Sequence, residues 1–157
     1  MNTEQKKDNS QKITTEDISS ELQRRGHVVT SWEGIGGITL PTEAVATMYK
    51  IGLPENPEAP TVFKMNFPPG CTIESHTHAC DYSEVILEGS QMIGRTWLHP
   101  GDVRIGLANR GYGPLVAGPE GATVLVIFAD GQWPGIPLGK GAGDTLGTNE
   151  ITDRFEA

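Results

Sequence analysis

His76 and His78, separated only by Thr77, are the residues of this 157-residue chain whose types and spacing promise chemistry. Two histidines at i and i+2 on an extended strand point to one face, so their imidazoles can converge on a single ion. Pro68, Pro69 and Gly70 exclude helix just before the pair, and the run Val85-Ile86-Leu87 after it is short and apolar, so the expected setting is a strand. If alternation carries across the turn at 79–81, Tyr82, Glu84 and Ile86 share the face of the histidines, and Val85 and Leu87 take the other. Glu84 is then a candidate third ligand and Tyr82 the alternative oxygen donor. Two neutral imidazoles with one carboxylate suit a divalent transition metal. Such a set with open positions is the pattern of non-haem Fe2+ oxygenases, and Zn2+, Mn2+ or Ni2+ fit the same donors. A cation beside a phenol lowers its pKa, so Tyr82 also qualifies as a general base.

Plainer roles compete with each of these. The histidines can be an exposed pair, Glu84 a solvated charge at a strand edge, and Tyr82 a hydrogen-bonded buried phenol. Cys71 and Cys80 flank the histidines, but a four-ligand zinc site on so short a hairpin needs a tight knuckle that the following apolar strand does not provide. Cys71 is expected as a small buried hydrophobe and Cys80 as an exposed, oxidisable turn thiol. Arg95 and His99 belong either at the mouth of the site or in solvent.

The elements that must position these groups are strands. Candidate strands cover 28–32, 38–40, 44–51, 61–67, 71–78, 83–88, 91–96, 102–105, 113–117 and 122–129, with Gly, Pro and Asn punctuating most gaps. Before them, Thr14 or Thr15 offers an N-cap, Glu16 and Asp17 fill a first turn, Ile18 and Leu22 share one face, and Gly26 after Arg24-Arg25 is a stop. This organisation divides the chain into a polar tail and helical segment over 1–27, a β-barrel over 28–134 and a Gly-rich, mobile or draped tail over 135–157. Residues 1–12 are polar and expected to be disordered.

The frame around the histidines resembles the first motif of the cupin superfamily: a glycine, five residues, His-x-His, three or four residues, a glutamate, six residues and a glycine. Gly70, His76, His78 and Gly89 match, and Tyr82 stands in the glutamate position. The second motif follows in register: Gly101 and Asp102 open it, and its proline, glycine, histidine and asparagine positions hold Leu107, Asn109, Tyr112 and Val116. Asn109 is a mild change, because Asn tolerates the left-handed backbone that a glycine supplies. The resemblance covers residues 60–130. It implies an all-β, cupin-type double-stranded β-helix (a jelly-roll barrel) with a short N-terminal helix, and a homodimer formed through added edge strands. It also implies that Tyr112, in the third-histidine position, points into the cavity to act on substrate as base or orienting group, and that Glu84 replaces the family's glutamate two residues along the same face. Phe63, Met65, Trp97 and Phe128 are the expected walls.

The function expected from these residues is metal-dependent catalysis on a small organic molecule. A dioxygenase-like oxygenase with Fe2+ leads, and lyase or isomerase chemistry comes next. The alternatives are a non-catalytic small-ligand-binding or regulatory cupin whose metal site has decayed, and a metal-free acid–base enzyme using Tyr112 with His76 or His78. A formal net charge of −8 without a basic stripe argues against nucleic acid and anionic membranes as partners. The polar N-terminus and the lack of a long apolar run make a cytoplasmic protein the default.

Overall fold

Thr14 opens the first helix, α1 (Thr15–Arg25), in the computed structural model, which describes residues 12–139 and 146–156. The Thr14 hydroxyl accepts from the Asp17 amide, the Asp17 carboxylate accepts from the Thr14 amide, and Gly26 closes the helix in the left-handed conformation. The helix lies on the surface, with Ile18 and Leu22 only half-buried. The segment expected to be disordered, 1–12, falls outside the described residues except for Lys12. The expected strand over 28–32 does not form. Ser31 instead caps the one-turn helix α2 (Trp32–Ile35) by accepting from the Gly34 amide, and Val29 is 89% exposed, so an extended run there has nothing to bury against.

Ten strands follow among the described residues: β1 (Ile38–Thr39), β2 (Val45–Lys50), β3 (Thr61–Phe67), β4 (Thr72–Ile73), β5 (His76–Thr77), β6 (Tyr82–Ile93), β7 (Thr96–Leu98), β8 (Val103–Gly106), β9 (Leu115–Phe128) and β10 (Ile136–Pro137). The main sheet runs β1-β2-β3-β9-β6-β7, with β4 added on β9 and β8 on β6, while β5 pairs separately with β10. Every pairing is antiparallel. The expected strands 83–88 and 91–96 merge largely into β6, and 113–117 and 122–129 into β9. The glycines that read as turns are bends inside a continuous ladder, whose register shifts between Ile86 and Glu88 and again between Gly89 and Gln91. Beyond β6, β9 pairs with β3 through its second half and with β4 through Leu115 and Val116, which carries one strand around both parts of the barrel.

Gly89 is where this bend leaves no room. Its φ is 74°, and a Cβ there would collide with the Gly121 carbonyl across the ladder. Gly89→Ala is expected to destabilise by more than the roughly 1–2 kcal/mol that a side chain at positive φ costs by itself. A chemical-denaturation midpoint equal to wild type would reject this account of the bend.

Inside the barrel Phe63 packs edge-on against Phe128 and tilted against Trp133, with ring centroids 5.6 and 5.1 Å apart. Of the C-terminal segment expected as a mobile or draped tail, the described residues 146–156 pack on the chain's own barrel. After β10, the helix α3 (Thr148–Phe155) buries Ile151 and Phe155. Arg154 Nη2 donates to the Ile35 carbonyl at 2.6 Å, and Glu156 just beyond the helix pairs with Lys50 Nζ at 3.2 Å. No described helix is long and apolar enough to cross a membrane.

Candidate metal centre

The two histidines face inward on one side of the barrel wall, each 6% exposed, as alternation predicts. The expected strand over 71–78 breaks at residues 74 and 75, which leaves His76 in β5. There the backbones of His76 and Tyr112 exchange both hydrogen bonds, each 3.0 Å, as a directly opposed antiparallel pair. The Asn109 amide donates to the His78 carbonyl at 2.8 Å, so the two motif segments are laced together by main chain. Asn109 takes φ 62°, the left-handed conformation expected for it. This lacing, rather than any helix, puts the Tyr112 side chain opposite the imidazoles.

Each imidazole is oriented by a carbonyl. His76 Nδ1 lies 2.8 Å from the Glu74 oxygen and His78 Nδ1 2.7 Å from the Trp133 oxygen. A carbonyl only accepts, so both Nδ1 atoms carry the proton and both Nε2 atoms present a lone pair. Those lone pairs meet at one point: the Tyr112 hydroxyl is 2.8 Å from His76 Nε2 and 2.9 Å from His78 Nε2. A phenol has one proton and can donate to only one of them, so a second buried acceptor lacks a donor. Burial lowers the pKa of His76, while burial followed by the neighbouring His76 brings His78 to about 4, so neither ring gains a second proton near neutrality. Three donor atoms with one proton among them, facing one cavity, fit a cation.

Glu84 and Tyr82 share the inward face, at 3% and 5% exposure, but they are not part of this trio. Arg104 lies directly across the ladder from Glu84 and bonds its Oε1 through Nε at 3.0 Å and Nη2 at 2.9 Å. Arg104 Nη1 donates to the Tyr82 hydroxyl at 3.2 Å, and its guanidinium stacks 4.1 Å from the centre of the Tyr112 ring. Among the described residues no three His, Cys, Asp or Glu side chains lie close enough to share an ion. The expected two-histidine, one-carboxylate set is therefore not assembled: the carboxylate is held by a guanidinium instead. Desolvation raises the Glu84 pKa, with Arg104 pulling the other way. Burial holds the Tyr112 phenol well above its ordinary value.

The site opens on a cavity of about 100 Å³. Its polar wall includes His76, His78, Glu84 and Tyr112, and among the described residues eleven apolar side chains line the rest and no lysine or arginine does. Phe63, Met65 and Phe128 line it as expected; Trp97 does not, lying on β7 at 44% exposure. Arg95 and His99 are exposed. Cys80 is buried rather than exposed, Cys71 donates to the Thr42 carbonyl at 3.4 Å, and burial raises both thiols. Three contributors were missed in the sequence: Arg104, the Trp133 carbonyl and the α3 residues Thr148 and Ile151. The only signal for Ile151 was its four-residue spacing from Phe155.

Comparison with solved structures places this architecture. The oxalate decarboxylase of Bacillus subtilis at pH 4.6 matches with a TM-score of 0.57 at 21% identity, over 69% of this chain and 31% of that one. A two-residue deletion mutant of the same enzyme matches at 0.52 with 23% identity, over 60% and 28%. A third structure, from work on the Mn(II) centers of that enzyme, gives 0.52 at 22% identity over the same shares. The chain thus spans less than a third of these neighbours' length. The fold is the cupin-type antiparallel jelly roll. No family model and no curated protein matches the sequence.

Proposed function

We propose that the chain is a metal-dependent cupin enzyme acting on a small, largely apolar organic molecule, by proton-transfer chemistry of lyase or isomerase type ahead of oxygenase chemistry. One observation carries the reading: two buried Nε2 lone pairs converge on one hydroxyl that has a single proton to give, a donor arrangement that a cation satisfies. His76 and His78 hold the ion, and Mn2+ is as well suited as Fe2+, Zn2+ or Ni2+ once no carboxylate completes an iron-type triad. The likeness to a decarboxylase with Mn(II) centers supports the lyase assignment. Bound there, a divalent metal supplies Lewis-acid polarisation of a substrate oxygen.

The chain's own residues do the remainder. The walls are mostly apolar, and the cavity of about 100 Å³ suits a small substrate. Among the described residues no lysine or arginine lines the wall, so an anionic substrate finds its counter-charge at the ion. Glu84 faces the cavity with its pKa raised by burial, which suits a carboxyl that accepts or returns a proton, and Arg104 fixes its orientation.

Metal analysis tests this directly. Purified protein reconstituted with Mn2+ and desalted is expected to retain about one equivalent, and His76→Ala or His78→Ala to retain under a tenth while keeping the wild-type circular dichroism. Wild-type protein that retains under a tenth of an equivalent of Mn2+, Fe2+, Zn2+ or Ni2+ would overturn the reading in favour of a metal-free ligand-binding module.

A further inference from the structure

We propose that the phenolic oxygen of Tyr112 is the third protein ligand of the metal, completing a His76–His78–Tyr112 centre in which Glu84 takes no part. The inference rests on the metal-dependent reading above and goes beyond it by assigning the ligand set.

The distances carry it first. Donors about 2.0–2.1 Å from one ion, at angles between octahedral and tetrahedral, lie roughly 2.8–3.4 Å from each other. The Tyr112 oxygen is 2.8 Å from one Nε2 and 2.9 Å from the other, separations that a shared ion allows between the oxygen and each nitrogen. The placement is rigid, because Tyr112 is fixed opposite His76 by two main-chain hydrogen bonds. The other two oxygen-bearing side chains on this face are both bonded to Arg104 rather than to the Nε2 pair. Glu84 Oε1 takes both of its bonds from Arg104, and the Tyr82 hydroxyl is also turned to Arg104.

The charge balance agrees. When the oxygen binds the ion, the phenol O–H bond breaks and its proton leaves to solvent, so phenolate and two neutral imidazoles leave a divalent centre at +1. The guanidinium 4.1 Å from the Tyr112 ring centre favours the anionic ring. Three protein ligands leave positions open for a substrate oxygen, and the residual charge selects an anionic or enolisable one.

Aerobic loading of the full chain with Fe3+ or Cu2+ tests the assignment by colour. A phenolate ligand is expected to give an intense visible charge-transfer band, with resonance-Raman ring modes that shift when the protein carries ring-deuterated tyrosine. Tyr112→Phe is expected to lose the band and Tyr82→Phe to keep it. In chelator competition Tyr112→Phe is expected to bind Mn2+ more than about 100-fold more weakly, beyond the roughly 10–100-fold that loss of an outer-shell partner costs. Stoichiometric metal without band or ring modes in wild type would overturn the ligand assignment and leave the metal-dependent reading standing. A band lost only in Tyr82→Phe would overturn it equally, and a wild-type chain that binds no metal would overturn both.

Discussion

Arg104→Met is expected to destabilise the protein by about 3–5 kcal/mol, the cost of stranding one partner of a buried ion pair, and so to lower its melting temperature by roughly 6–20 °C. Glu84 is 3% exposed and takes two of the guanidinium's donors, so methionine leaves a carboxylate without compensation. The loss also depends on pH, with a definite sign. Desolvation already raises the Glu84 pKa above its ordinary 4.5, and removing Arg104 raises it further. A carboxyl with a higher pKa in the folded than in the unfolded state favours the native fold at low pH. That contribution is lost as pH rises from the ordinary value through the folded one. Denaturation at a series of pH values should therefore show Arg104→Met closest to wild type near pH 4–5 and furthest from it near pH 8. The double change Glu84→Gln with Arg104→Met removes the orphan charge and should recover most of the loss. A single variant with an unshifted midpoint at pH 8 would show that the pair is solvated.

Arg104 also shows where sequence reading fails. A strand reading Val103-Arg104-Ile105 places the apolar residues inward by ordinary alternation, but β8 is inverted: Val103 and Ile105 are 58% and 79% exposed while Arg104 turns in toward Glu84. A buried carboxylate decides which face of β8 is inner, and its partner can be known only once the β6–β8 register is known. Parity within one segment was legible, because local alternation carried His76, His78, Tyr82, Glu84 and Ile86 to one face across the turn. The helix caps at Thr14 and Gly26 were legible for the same reason: a cap is satisfied by residues three or four positions away. Pairing across the barrel was not. The Tyr112 hydroxyl meets the imidazoles through a bridge between residues 36 positions apart in the chain, and only motif register hinted at it. The bends of β6 and β9 misled because glycine marks a turn and a bulge equally well, and the ladder on either side decides between them.

Phe155→Ala is the second large effect, and it bears on the metal as well as on stability. The eight residues of α3 are too few to form a helix in isolation, and Gly147 supplies no side-chain cap, so the helix exists because Ile151 and Phe155 are buried. Truncating a phenylalanine that is 5% exposed is expected to cost about 3–5 kcal/mol, with a melting temperature lower by roughly 6–20 °C. A free tail would give almost no change. The consequence then runs inward. Glu156, at the end of α3, accepts from Trp133 Nε1 at 3.1 Å, and the Trp133 carbonyl orients His78 through Nδ1 at 2.7 Å. Loosening α3 removes the indole's anchor and with it part of the restraint that aims His78 Nε2 at the Tyr112 oxygen. Carbonyls that orient metal-binding histidines typically change affinity by roughly 10–100-fold when lost, so a chain ending at residue 146 should hold Mn2+ within or somewhat below that range. Chelator competition on that truncation, beside the Phe155→Ala melting curve, separates the two roles. If the truncated barrel stays folded with undiminished affinity, α3 shapes the cavity wall through Thr148 and Ile151 and leaves the ligand geometry to the strands alone.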